Sequence, residues 1–71
     1  MDMVNSPQHY QMDGLEVIDI IETLIKYNCT DPFEGYLYGN IIKYLSRYKR
    51  KNQKEDLEKA KWYLEKLIDT E

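Results

Sequence analysis

Asn40, Lys43 and Arg47 stand at helical spacing in the middle of the chain. Lysine brings a point charge, arginine a planar fork that can grip two oxygens, and asparagine an amide that donates or accepts. On an α-helix the three fall on one side, about a turn apart. That set suits a mono- or diphosphate held on the helix surface, and the surrounding tyrosines suit stacking against a base. No Asp or Glu lies between Gly35 and Lys54, so nothing local neutralises the cations. Tyr36 and Arg50 extend the stripe. Gly39 borders it, where a missing side chain would let a ligand approach the backbone. Two cations four residues apart are also common on solvated helices, so spacing alone leaves both readings open.

Other residues could join them. Glu16 and Asp19, at i and i+3, could hold a magnesium ion or meet a basic partner, or simply complement a helix N-terminal dipole. Lys43 and Arg47 could pair with these two acids or bind phosphate. His9-Tyr10 lies in a polar N-terminal stretch that reads as a tail or as a flap over a site. Asp56, Lys59 and Tyr63 share one face further on, at i, i+3 and i+7. The phosphate loop, the dinucleotide glycine motif, the His-Glu-x-x-His zinc motif and the Gly-x-Ser-x-Gly elbow are all absent. An enzyme built from this chain would use Lys43 and Arg47 as electrostatic stabilisers, with Glu16 or Asp19 on magnesium.

The elements that must position these groups are helices. Residues 1–12 form an irregular arm. Asp13 as cap with Glu16 three residues on starts a first helix over 14–28, with Val17, Ile18, Ile20, Ile21, Leu24 and Ile25 as its apolar face. Asp31, Pro32 and Glu34 start a second over 32–51. On it Leu37, Ile41, Tyr44, Leu45 and Tyr48 read as core, opposite the Asn40 stripe. Gly35 and Gly39 each cost this helix roughly 1 kcal/mol relative to Ala. A helix contact that only glycine permits, a kink, or a ligand would account for them. Asn52 with Glu55 starts a third helix over 54–69, whose stripe is Leu57, Ala60, Leu64, Leu67 and Ile68. Trp62 falls outside that stripe, on the N-terminal arm or in a subunit interface. No strand signal stands out. The expected fold is all-α: a single three-helix domain over 1–71, with helices 2 and 3 as an antiparallel hairpin.

Size and composition narrow the rest. A chain of 71 residues is marginal as a monomer. With one cysteine and one histidine, neither an internal disulfide nor a Cys/His zinc site is available, and a homo-oligomer is expected. Residues 1–35 carry seven acids and one lysine, whereas residues 36–71 carry nine basic residues and six acids. That polarity favours an anionic ligand on the second half or a head-to-tail contact. No long apolar run suggests a membrane span or signal peptide, and a lone thiol fits the cytoplasm. DNA binding through Lys49, Arg50 and Lys51 ranks last because the net charge is −3.

Several of these motifs occur together in one family. His9-Tyr10, Gly14-Leu-Glu16 with Ile18-Asp19, Gly39-Asn40 with Lys43-Tyr44 and Arg47, and Asp56-Leu57, Lys59-Ala60 and Trp62-Tyr63-Leu64 resemble a small tailed-phage domain of unknown function labelled nucleotide kinase-like. The match runs from Gln8 to Leu67. A similar domain forms part of an early phage kinase of deoxynucleoside monophosphates that lacks a P-loop and assembles into oligomers. The resemblance implies a phage or prophage nucleotide-binding protein in the host cytoplasm. It also implies a kinase-like activity drawing on magnesium and a nucleoside triphosphate. The polar positions it carries over are His9, Tyr10, Glu16, Asp19, Asn40, Lys43, Arg47, Asp56 and Lys59. The alternative is a non-catalytic phage module that binds a host protein or sequesters a signalling nucleotide.

Overall fold

The computed structural model describes residues 11–12 and 15–71, with side chains from Glu16 onward. Two short strands, β1 (Gln11–Met12) and β2 (Leu15–Glu16), pair antiparallel, with Gln11 opposite Glu16 and Met12 opposite Leu15. Three helices follow: α1 (Val17–Asn28), α2 (Pro32–Arg47) and α3 (Lys54–Thr70). A single 3₁₀ turn, Tyr48–Arg50, extends α2. The fold is all-α, and α2 and α3 pack closely as the expected hairpin.

The pairing of β1 with β2 moves the start of α1. Glu16 is held extended, at φ −95° and ψ 131°, and becomes the N-cap with no side-chain capping bond. The helix begins at Val17, not residue 14, and the expected capping box with Glu16 inside the first turn does not form. The residues between the paired strands in sequence are Asp13-Gly14, a dipeptide that favours tight hairpins. Asp13 itself, like His9 and Tyr10, lies outside the described residues.

The start of α2 follows its sequence signal closely. The Asp31 carboxylate accepts the Glu34 N–H at 3.1 Å, and Pro32 takes the first turn, where its missing donor costs nothing. The Glu34 carboxylate reaches back to the Thr30 N–H at 2.8 Å, one residue earlier than in the standard capping box. The start of α3 differs. Gln53 is the N-cap at φ 52°, in a region that favours glycine. The Asn52 side chain donates to Asp56 Oδ1 at 3.2 Å instead of capping.

The helices are layered, with α2 in the middle. Gly35 and Gly39 on α2 face Ile25 and Ile21 of α1. Tyr36, Tyr44 and Arg47 meet Tyr63 and Asp56 of α3. Contact between α1 and α3 is at most marginal. The radius of gyration is 12.6 Å, against about 11 Å for a compact domain of this length. Among the described residues the buried apolar side chains are Val17, Leu37, Ile41 and Ala60. The expected helix 3 stripe is only partly covered. Ala60 is buried and Leu67 half-buried, but Leu57, Leu64 and Ile68 are exposed because α1 lies across α2 and does not cap them.

Candidate functional site

Tyr36, Tyr44 and Arg47 of α2 meet Asp56, Lys59 and Tyr63 of α3 along the seam between the two helices. Tyr44 is at the centre. Lys43 Nζ lies 4.6 Å from its ring centroid, Arg47 Cζ 4.8 Å, and Lys59 Nζ 5.5 Å. Three cations thus share one phenol ring, whose quadrupole partly offsets their mutual repulsion. The Tyr63 ring stacks against Tyr44 at 5.9 Å and 21°, and meets Tyr36 edge-on at 5.9 Å and 72°. Phe33 continues the row, nearly parallel to Tyr36 at 6.2 Å and 15°. The Tyr63 phenol pKa is pushed up, first by its hydrogen bond with Tyr36, then by burial and the neighbouring phenols. It stays protonated across the physiological range.

Arg47 is not on a solvated stripe. It is 8% exposed, and Asp56 is 0% exposed. Arg47 Nε donates to Asp56 Oδ2 at 3.0 Å and Arg47 Nη2 to Asp56 Oδ1 at 3.2 Å, a two-pronged bond between α2 and α3. Asn52 adds a third donor. The Arg47 hydrogen bond holds the Asp56 pKa below the usual carboxylate range, with Asn52 assisting, against the opposing effect of burial. On α2, two residues depart from the helical wheel. Arg47 is buried because a carboxylate waits for it on α3, and Leu45 is left exposed.

The remaining candidates divide. Asn40 sits between Tyr36 and Tyr44 and donates from Nδ2 to the Tyr36 carbonyl at 2.8 Å. Lys59 makes a loose ion pair with Glu55 at 3.7 Å, and both ends are well exposed. Among the described residues no ion pair joins Lys43 to a carboxylate. Gly39 faces α1, not the seam, so of the readings open for it the structure shows the close helix contact. A Cβ there would lie 3.4 Å from Ile21 Cγ2.

Glu16 caps α1 from outside the helix, so it does not share a helical face with Asp19. Asp19 is exposed in the first turn of α1. The acid shown against Arg47 is Asp56, neither Glu16 nor Asp19. Among the described residues no three His, Cys, Asp or Glu side chains gather as metal ligands, and no helix is long and apolar enough to cross a membrane. Helical spacing reads Tyr44 as core and gives Phe33 no role. The i, i+4, i+8 spacing of Tyr36, Asn40 and Tyr44 was the available signal.

The chain is 35% identical over 66 residues to the nucleotide kinase gp1.7 of Escherichia phage T7, covering 87% of this chain and 33% of that protein. It is 33% identical over 66 residues to the gene 1.7 protein of Enterobacteria phage T3, covering 87% and 39% respectively. The chain therefore spans between a third and two fifths of the length of these relatives. No solved structure matches it. Residues 4–65 match the model of a family described as a protein of unknown function, DUF3310, and the chain belongs to that family.

Proposed function

We propose that this chain is a phage nucleotide-binding protein whose phosphate site is the cation cluster around Tyr44. The observation that carries the reading is the gathering of Lys43, Arg47 and Lys59 within 5.5 Å of one ring. Lys43 and Lys59 are the phosphate ligands in this reading, and Arg47 is a positioning residue held by Asp56. The named activity of the T7 relative points to a nucleotide as the source of that phosphate. Kinase-like phosphoryl transfer belongs to this proposal only by that relationship, and no residue is assigned to it. Glu16 and Asp19 alone make a sparse magnesium site, so the ion would arrive on the nucleotide phosphates and keep several waters.

The test is a thermal-shift panel of nucleoside mono-, di- and triphosphates. A ligand at about 100 Kd stabilises the chain by about 2.7 kcal/mol. Lys43→Ala and Lys59→Ala should remove that shift. A flat response to every nucleotide would refute the reading. Self-association is part of the same proposal. Ile18, Tyr27, Leu57, Leu64 and Ile68 are exposed, and Trp62 is 54% exposed while it packs edge-on to Tyr63. Sedimentation should find more than one copy per particle, and Leu64→Glu with Ile68→Glu should reduce it to monomers. A monomeric wild type would remove that part of the proposal.

A further inference from the structure

We infer that the seam between α2 and α3 has a base end and a phosphate end, and that its ligand is an extended nucleoside polyphosphate lying from Phe33–Tyr36 toward Lys43 and Lys59. The inference rests on the phosphate site proposed above and adds the place of the base, and thereby the ligand's direction and length. At the far end from the cations, Phe33 and Tyr36 form a nearly parallel pair, 51% and 56% exposed. The Tyr36 ring meets that of Tyr63 at 5.9 Å and 72°, a contact that orients it while it stays more than half exposed. A pre-oriented, half-solvated aromatic surface of this kind stacks well on a planar base and does not select among bases by hydrogen bonding.

The span between the ends follows from helix geometry. Tyr36 and Lys43 are seven residues apart on one helix, or about 10 Å along its axis. A monophosphate carries its only phosphate one sugar away from the base, and each further phosphoryl group lengthens the reach toward Lys43 and Lys59. The path between holds no carboxylate on α2. It passes Asn40, whose Nδ2 is engaged with the Tyr36 carbonyl while Oδ1 remains an acceptor suited to a sugar hydroxyl. The cations cannot be the base end: the Tyr44 ring is already flanked by Lys43, Arg47, Lys59 and the stacked Tyr63.

Calorimetric titration of the full chain with ATP, ADP, AMP and inorganic tripolyphosphate tests this. Affinity should fall in the order ATP, ADP, AMP. Tyr36→Ala and Phe33→Ala should each weaken ATP about tenfold, the scale of one lost base stack, and leave tripolyphosphate unchanged. Tyr36→Phe should keep ATP binding. Lys43→Ala should weaken ATP and tripolyphosphate alike. Both aromatic variants binding ATP as the wild type does, with Lys43→Ala still impaired, would overturn the base end and leave the phosphate site standing. AMP binding as tightly as ATP would overturn the length argument. ATP binding unaffected by Lys43→Ala and Lys59→Ala would overturn the phosphate site and this inference together.

Discussion

Replacing Asp56 with alanine should be the most damaging single change in the α2–α3 hairpin. It leaves the Arg47 guanidinium, 8% exposed, facing a methyl group where two charge-assisted bonds of 3.0 and 3.2 Å had been. Breaking a buried pair from one side costs about 3–5 kcal/mol, mostly the penalty of a desolvated charge. At roughly 0.05–0.15 kcal/mol per residue, a chain of this size holds only about 4–11 kcal/mol in total. The variant therefore loses about a quarter of its stability or more, and its Tm falls by at least about 12 °C, since 1 kcal/mol moves a small domain by about 4–8 °C. Urea denaturation followed by circular dichroism measures this, with Trp62 fluorescence as a second probe. The double variant Arg47→Met with Asp56→Leu should return to within about 1 kcal/mol of the wild type, because an apolar pair of similar volume carries no desolvation cost. An Asp56→Ala loss under about 1 kcal/mol would refute the reasoning, as would a double variant no better than the single.

The same pair sets an acid limit. The Asp56 pKa is lowered in the folded chain, so its contribution is complete above the unfolded value of about 3.9 and is lost as pH falls through the lower folded value; urea midpoints should drop below about pH 4, and Asp56→Asn should flatten that drop. Gly35→Ala should stabilise α2 by up to about 1 kcal/mol, because the added Cβ meets Ile25 Cγ2 at an ordinary 3.5 Å; a destabilised variant in thermal denaturation would show that α1 sits closer than this. Gln53→Gly should also stabilise, by roughly 1 kcal/mol, because φ is 52° there; an unchanged melting temperature would mean that the turn carries no strain.

The helices were legible because their signals are local. Asp31, Pro32 and Glu34 mark the start of α2 within four residues, and the apolar repeats mark the helix faces. What was missed depends on contacts between elements. The extended conformation of Glu16 comes from pairing with Gln11, which no helical periodicity reveals. Arg47 reads as solvated on a wheel because the wheel cannot show a carboxylate on another helix. Asp56, Lys59 and Tyr63 were grouped correctly on one face, but the sequence did not say which face of α2 they would meet. Gly39 reads from sequence as a helix contact, a kink or a ligand approach, and only the packing of α1 shows that the glycine side of α2 makes the helix contact. For the candidate site, the shared face of Asp56, Lys59 and Tyr63 was readable, while the burial of Arg47 against Asp56 was not.

The central position of α2 also has a consequence for the order of folding. Arg47 and Asp56 are nine residues apart, so closing their loop costs little entropy and the hairpin forms from near neighbours in sequence. Docking of α1 needs the surface of α2 already built, since α1 has almost no contact with α3. During synthesis α1 leaves the ribosome first and finds its partner only after α2 follows. Until then Ile21 and Ile25 lack the α2 face they pack against, and that interval is when the chain is most open to aggregation or to capture by a chaperone.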